Sequence, residues 1–255
     1  MTRLSGTTPI DLVTFDLYDT LVEMDHPRWQ RFATAMQRAG LAADPEHLKI
    51  IDRAAEDFYT IENGQVPIRD RPEAEQEAFR LEYARIYLEA AGVDADPELV
   101  REVRQHFVDE IETHGWTYSM FPDVMPAITK LERAGIKRAL ISNADADVTE
   151  FSMHMGFAPH MDVIVTSALV GFEKPDARTF YAALDPLGIA PPQALHVGDQ
   201  ALSDVIGARG IGMRAALIDR YGRHAAGEHD AEVLVVRGLE ELADEVIAFN
   251  ASLTG

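Results

Sequence analysis

Short runs of Val, Ile, Leu and Ala recur along the chain at Asp11–Leu17, Lys137–Ser142, Val163–Ser167, Ala194–Gly198, Met213–Ile218 and Val233–Val236. They are nearly continuous in apolar character rather than alternating, the signature of strands buried on both faces, as in parallel sheets. Helical patterns lie between them: Val124, Ile128 and Leu131 closing at Gly135, Phe180, Leu184 and Leu187 closing at Gly188, and a last stretch through Leu239, Leu242, Val246 and Phe249. Strands alternating with helices predict an α/β domain with a doubly wound parallel sheet. At 255 residues and 47% hydrophobic content, the chain can bury one such core and a smaller accessory domain.

One segment breaks the alternation. From about His26 to His114 there is no convincing strand and there are several helical patterns, which predicts an inserted helical domain over 23–115, with the core formed by 1–22 and 116–255. Its clearest helix begins with Pro72 in the first turn and stops near Gly92. It carries two apolar stripes, Ala74/Ala78/Leu81/Ala84/Leu88 and Phe79/Tyr83/Ile86/Ala90, a wide face suited to a bundle. Asn63–Gly64 and Asp94–Ala95–Asp96–Pro97 read as turns.

Composition narrows the chemistry. With no cysteine, a thiolate nucleophile and any Cys-ligated zinc or iron–sulfur site are excluded, leaving oxygen and nitrogen ligands. A formal charge of −20 without a basic run disfavours nucleic acid and anionic membranes as partners. No segment reaches the apolar length of a bilayer span, and the first residues resemble neither a signal nor a transit peptide, so a cytoplasmic protein is expected.

The first strand ends in Phe15-Asp16-Leu17-Tyr18-Asp19-Thr20-Leu21, which puts a carboxylate at the carboxyl edge, where open α/β sheets bind ligands. Taken singly, such an Asp caps turns as often as it reacts. The second run ends in Ser142-Asn143, Lys174 follows the third in Gly171-Phe172-Glu173-Lys174-Pro175-Asp176, and the fourth ends in Gly198-Asp199 with Asp204 close behind. Alone, Ser-Asn is a helix cap and Gly-Asp a turn. Together and in this order they gather polar groups from four strands at one edge.

These four motifs, spanning nearly the whole core, resemble the haloacid dehalogenase (HAD) superfamily, which contains many phosphatases. The helical insert after the first motif resembles the cap of that superfamily's subfamily I, on a Rossmann-like core. Gly171–Asp176 and His196–Met213 look especially like its phosphatase-type members. The resemblance implies Asp16 as the nucleophile, forming an aspartyl-phosphate that water hydrolyses. It implies Mg²⁺ held by Asp16, the Tyr18 carbonyl, Asp199 and Asp204, with Lys174 offsetting the negative charge. Ser142, Asn143 and the N–H groups that follow, at an expected helix start, would hold phosphate oxygens. Thr20 would support the first-motif loop. The implied substrate is a small-molecule phosphate ester; oligomeric state is not legible. In the cap, Arg28, Trp29, Tyr59, Arg69 and Arg71 could face substrate, but each reads more readily as a surface or bundle residue, and none is singled out.

The chain departs from the phosphatase pattern at Tyr18, where an Asp commonly protonates the leaving group. A phenol, with an ordinary pKa near about 10, exchanges protons poorly at neutral pH. Asp19 lies one residue late and should face elsewhere. Tyr at this position is also familiar from the metal-free 2-haloacid dehalogenases, so dehalogenation and a phosphate-binding pseudoenzyme stand as alternatives. Against dehalogenation, Asp199 takes the place of small polar residues, and a carboxylate there disfavours a carboxylate substrate. Phosphonatase chemistry would need a cap lysine, and Lys49 is the only one in that segment.

Overall fold

Burial of all four side chains of β1, Leu12–Phe15, fits its place inside a six-stranded sheet in the computed structural model of the chain, which describes residues 4–224 and 233–254. The other strands of this sheet are β4 (Lys137–Ser142), β5 (Val163–Thr166), β6 (Ala194–Gly198), β7 (Arg214–Ile218) and β8 (Leu234–Val236). Two short strands, β2 (Val22–Met24) and β3 (Tyr118–Met120), pair separately. The large sheet runs β5-β4-β1-β6-β7-β8, and each neighbouring pair is parallel. The chain therefore moves outward from β1 on one side and returns to lay β6 on the other. This reversal makes the carboxyl end of β1 the switch point at which such sheets open a crevice. The doubly wound, Rossmann-like expectation holds, with strands at the six expected places.

The helices that flank the sheet fall into two packed groups. Phe180 and Leu184 of the helix Ala177–Leu184 join Leu12, Ile141 and Leu217 in one buried cluster. The helices Val124–Arg133 and Leu239–Leu253 pack against each other and bury Ile128, Leu131, Leu242 and Val246.

The chain separates into two compact units, 1–23 with 119–255, and 24–118, and it crosses between them in the β2/β3 pair. The second unit holds helices Arg28–Arg38, Pro45–Gln65, Glu73–Ala90 and Pro97–His114. Asp44 and Asp96 cap the second and fourth, each followed by proline at the first helical position. Phe32 stacks on Tyr87 and Phe107 with ring centroids 4.0 and 4.3 Å away. Fully buried Arg31 donates to the carbonyls of Asp25, His26, Glu110 and Gly115, tying the two ends of this unit together.

Two local expectations need correction. The helix Glu73–Ala90 buries Phe79, Ala84, Tyr87 and Leu88, a face drawn from both stripes plus Tyr87, while Ala74 and Ala78 are exposed. Alanine is compatible with either environment, so the aromatic and leucine positions decide the packed face. Asn63–Gly64 is the last turn of Pro45–Gln65 rather than a break before it: the buried Asn63 side chain accepts from Ile68 N–H at 2.6 Å and finishes the helix.

Candidate active site

Strand ends bring the polar residues together. Asp16 follows β1 directly, its N–H bonded to the Val197 carbonyl of β6 at 2.9 Å, and Ser142 is the last residue of β4. Asp199 follows β6, and Asp204 sits on the π-helical turn Ala201–Ile206. Such turns insert one residue into a helix and often mark functional sites. Lys174, fully buried, donates from Nζ to Asp16 Oδ1 and Asp204 Oδ1, each at 2.7 Å. Oxygens of Asp16, Asp199 and Asp204 all lie within 4.8 Å of one another, the one such acidic group among the described residues.

Gly198 makes this arrangement possible. A Cβ there would stand 2.1 Å from Asp204 Oδ2 and 2.2 Å from its Cγ, so the Asp204 carboxylate fills the space that any other residue would claim. Beneath it lie two polar residues that sequence reasoning did not single out. Thr14 and His196 face each other in the β1/β6 register, with Thr14 Oγ1 2.8 Å from His196 Nδ1 and His196 Nε2 3.1 Å from Asp204 Oδ1. A signal was present: each is the only polar residue within its strand, two positions before Asp16 and Gly198 respectively.

The other expected residues fall as follows. Asn143 spends its amide on the Lys174 backbone, accepting from its N–H at 2.8 Å and donating to its carbonyl at 3.0 Å, and so anchors the lysine. The Ser142 hydroxyl is buried with no hydrogen-bond partner among the described residues. No helix starts immediately after it; the next helix begins at Thr149, and Ala144 N–H is taken by Ser167 Oγ at 3.0 Å. The helix N-terminus expected at this point is thus absent, because Asn143 and Ala144 turn instead toward the β5 side. Thr20 is buried in the first-motif loop, and its carbonyl accepts from Arg220 at 2.6 and 3.0 Å.

Tyr18 forms a backbone bridge to Val22 and tilts its ring 6.5 Å from Phe151. Asp19 adopts a left-handed φ of 56°, which Asp tolerates better than most residues, and accepts from Tyr221 hydroxyl at 3.1 Å. Arg223, also missed from sequence, lies 3.8 Å from both Asp19 and Asp199. It lies on the loop after β7, where Asp219 accepts its N–H at 2.7 Å.

Electrostatics divide the carboxylates. Burial pushes Asp16 up to about 6, with Asp204 adding to the rise and Lys174 and the Leu17 N–H opposing it. Burial also lifts Asp199 well above the carboxylate range, helped by Asp19, Asp16 and Asp204 and opposed by Arg223. For Asp204 the burial penalty is outweighed by Lys174 and His196, which hold it below that range. Lys174 is raised despite burial by its two carboxylate partners, and burial lowers His196. An all-oxygen set with one carboxylate held at so unfavourable a charge fits a hard divalent cation. Three of the four residues expected around Mg²⁺ meet in this set; the fourth, Tyr18, would enter only through its carbonyl.

Residues 10–212 match the family model of haloacid dehalogenase-like hydrolases. The human haloacid dehalogenase-like hydrolase domain-containing protein 3 is 28% identical over 210 residues, covering 82% of each chain. A phosphoserine phosphatase from Thermus thermophilus is 36% identical over 143 residues, covering 56% of this chain and 55% of that one. A solved structure titled as a predicted phosphoglycolate phosphatase from Haemophilus somnus superposes with a TM-score of 0.61 at 16% identity, over 94% of this chain and 99% of the other. Its low identity bears on the fold alone. With the family model spanning most of the chain and the family's four motifs at the strand ends, this protein belongs to the haloacid dehalogenase-like hydrolases.

Proposed function

We propose that the protein is a Mg²⁺-dependent phosphatase of small phosphate esters that works through an aspartyl-phosphate on Asp16. The observation that carries this reading is the convergence of Asp16, Asp199 and Asp204 oxygens within 4.8 Å, beside a lysine bonded to Asp16. Phosphatase-named relatives support it. A third carboxylate would repel a 2-haloacid, whereas a divalent cation held by these residues would offset the charge of both nucleophile and phosphate.

Lys174 fixes the Asp16 carboxylate by its Oδ1, so that an oxygen of Asp16 attacks phosphorus in line as the bond to the leaving oxygen breaks. The leaving oxygen takes its proton from water. A second water then attacks phosphorus, releasing a proton that neutralises the hydroxide left by the first, the bond to Asp16 breaks, and inorganic phosphate leaves with the carboxylate restored. Lys174 stabilises the charge on the transferring group, and Ser142, buried with an unused hydroxyl, is placed to bind a phosphate oxygen. Asn143 acts through Lys174, whose backbone it holds. With Tyr18 in place of a carboxylic acid, general acid catalysis worth roughly 10²–10⁴-fold is missing, and esters with good leaving groups are favoured. The helical unit 24–118 is assigned to substrate selection, by the family resemblance, in a cytoplasmic setting.

The test is hydrolysis of p-nitrophenyl phosphate and of 2-chloropropionate, each with Mg²⁺ and with EDTA. Phosphate release only with Mg²⁺ is expected; chloride release insensitive to EDTA would make the protein a dehalogenase. Asp16→Asn should abolish turnover, and Asp199→Asn should raise the Mg²⁺ concentration needed. An unchanged Mg²⁺ titration in Asp199→Asn removes that residue from the metal site.

A further inference from the structure

We propose that His196, held in one tautomer by Thr14, is a positioning residue that fixes Asp204 and, through it, seats the Lys174 ammonium against Asp16. Thr14 and His196 are fully buried, and Asp204 is 1% exposed. The three are shielded from bulk solvent, so the hydrogen bonds among them decide where each proton sits.

One tautomer fits the side-chain contacts at both ring nitrogens. Asp204 Oδ1, already accepting from Lys174 Nζ, is an acceptor and requires a hydrogen on His196 Nε2. Among the described residues the Thr14 hydroxyl has one hydrogen-bond partner, His196 Nδ1. If Nδ1 carried a hydrogen, the hydroxyl proton would be left buried without an acceptor, at a cost of about 1–3 kcal/mol. The neutral Nε2–H tautomer satisfies both ends: Thr14 O–H donates to Nδ1, and Nε2–H donates to Asp204.

The consequence falls on the lysine. Asp204 Oδ1 receives Lys174 and His196, while Oδ2 receives the Gln200 N–H at 3.0 Å, so both oxygens are held. A carboxylate fixed at both oxygens gives Lys174 Nζ one seat, 2.7 Å from Asp16 Oδ1. Removing the His196 donor would free Oδ1 to follow the lysine away from the nucleophile.

This inference rests on the phosphatase reading only for its kinetic arm. In the wild-type protein, ¹⁵N NMR of the imidazole should show His196 Nε2 protonated and Nδ1 bare; a protonated Nδ1 overturns the proposal whatever reaction the protein catalyses. For kinetics, His196→Leu removes the donor, and His196→Gln keeps an amide N–H near the Nε2 position. His196→Leu should lower kcat by about 10²-fold with KM little changed, the scale of a misplaced catalytic group. His196→Gln should recover most of that loss, and Thr14→Val should fall between them. Wild-type kcat in His196→Leu, or a loss in His196→Gln as large as in a folded His196→Leu, overturns it. Should His196→Leu fail to fold, the NMR spectrum and Thr14→Val decide alone.

Discussion

Gly198 shows how a single residue without a side chain governs a charged centre. Because the Asp204 carboxylate occupies the place of a Cβ at 2.1 Å, Gly198→Ala must push Asp204 off His196 and Lys174. The expected outcome is a loss of kcat of about 10²-fold or more, since a shift near 1 Å in catalytic geometry has that effect. Steady-state kinetics on the folded variant check it. At this scale much of the site was legible: Asp16, Lys174, Asp199 and Asp204 were expected because polar groups from four strand ends gather at one edge in the order of the family's motifs. Asn143 was legible as a site residue but not in its role. Whether its amide met a ligand or the Lys174 backbone depended on a loop from β5 that lies 31 residues away in sequence.

Among the elements, the helix Leu239–Leu253 depends on a residue far along the chain. Its N-cap position is Gly238, which has no side chain to offer, and Asp123 Oδ2 instead accepts from Leu239 N–H at 2.7 Å. Gly238 also leaves room, since a Cβ there would stand 2.8 Å from that oxygen. Asp123 meets Arg220 at 3.1 Å as well, and Arg220 holds the Thr20 carbonyl. Asp123→Ala should therefore cost about 1–3 kcal/mol, more than a simple cap because a buried cation loses its partner. Urea unfolding with an unchanged slope measures it, and a midpoint equal to wild type would deny Asp123 the capping role. Helix existence was legible from the Leu239/Leu242/Val246 spacing, but its cap was not, because the donor and acceptor lie 116 residues apart.

For the whole molecule, the acidic cluster ties stability to pH and, on the phosphatase reading, to metal. In metal-free protein Asp16 titrates at about 6 against an ordinary 3.8, so between pH 4 and 6 the folded state keeps a proton that the unfolded chain has released. Stability then falls as pH rises through that window, and the upward shift of Asp199 works in the same direction. Two groups act oppositely: Asp204 below pH 4, where its stabilisation is lost as pH falls, and His196, whose burial refuses the proton that the unfolded imidazole takes up below about 6.5, so the two raised carboxyls are set against one imidazole. Thermal unfolding in EDTA between pH 4 and 7 should show the decline, and a flat or rising melting temperature would contradict it. Added Mg²⁺ at neutral pH should stabilise the protein by about 2.7 kcal/mol at a hundredfold excess over Kd. That is a rise of about 5–10 °C for a chain of this size, expected to shrink in Asp16→Asn.

The parallel sheet, the helical insert and the residues at the strand ends were determined by the sequence itself. Each rests on a local property: continuous apolar runs, a 3.6-residue period, and polar groups where those runs stop. The tertiary structure alone decided that Thr14 lies opposite His196, that Asp204 fills the space above Gly198, that Asn143 holds Lys174, and that Arg223 stands between Asp19 and Asp199. These pairings depend on strand order and register, which bring distant segments to within a hydrogen bond's length. Hydrophobic patterning specifies which face of a strand is buried, but not which neighbour it meets there.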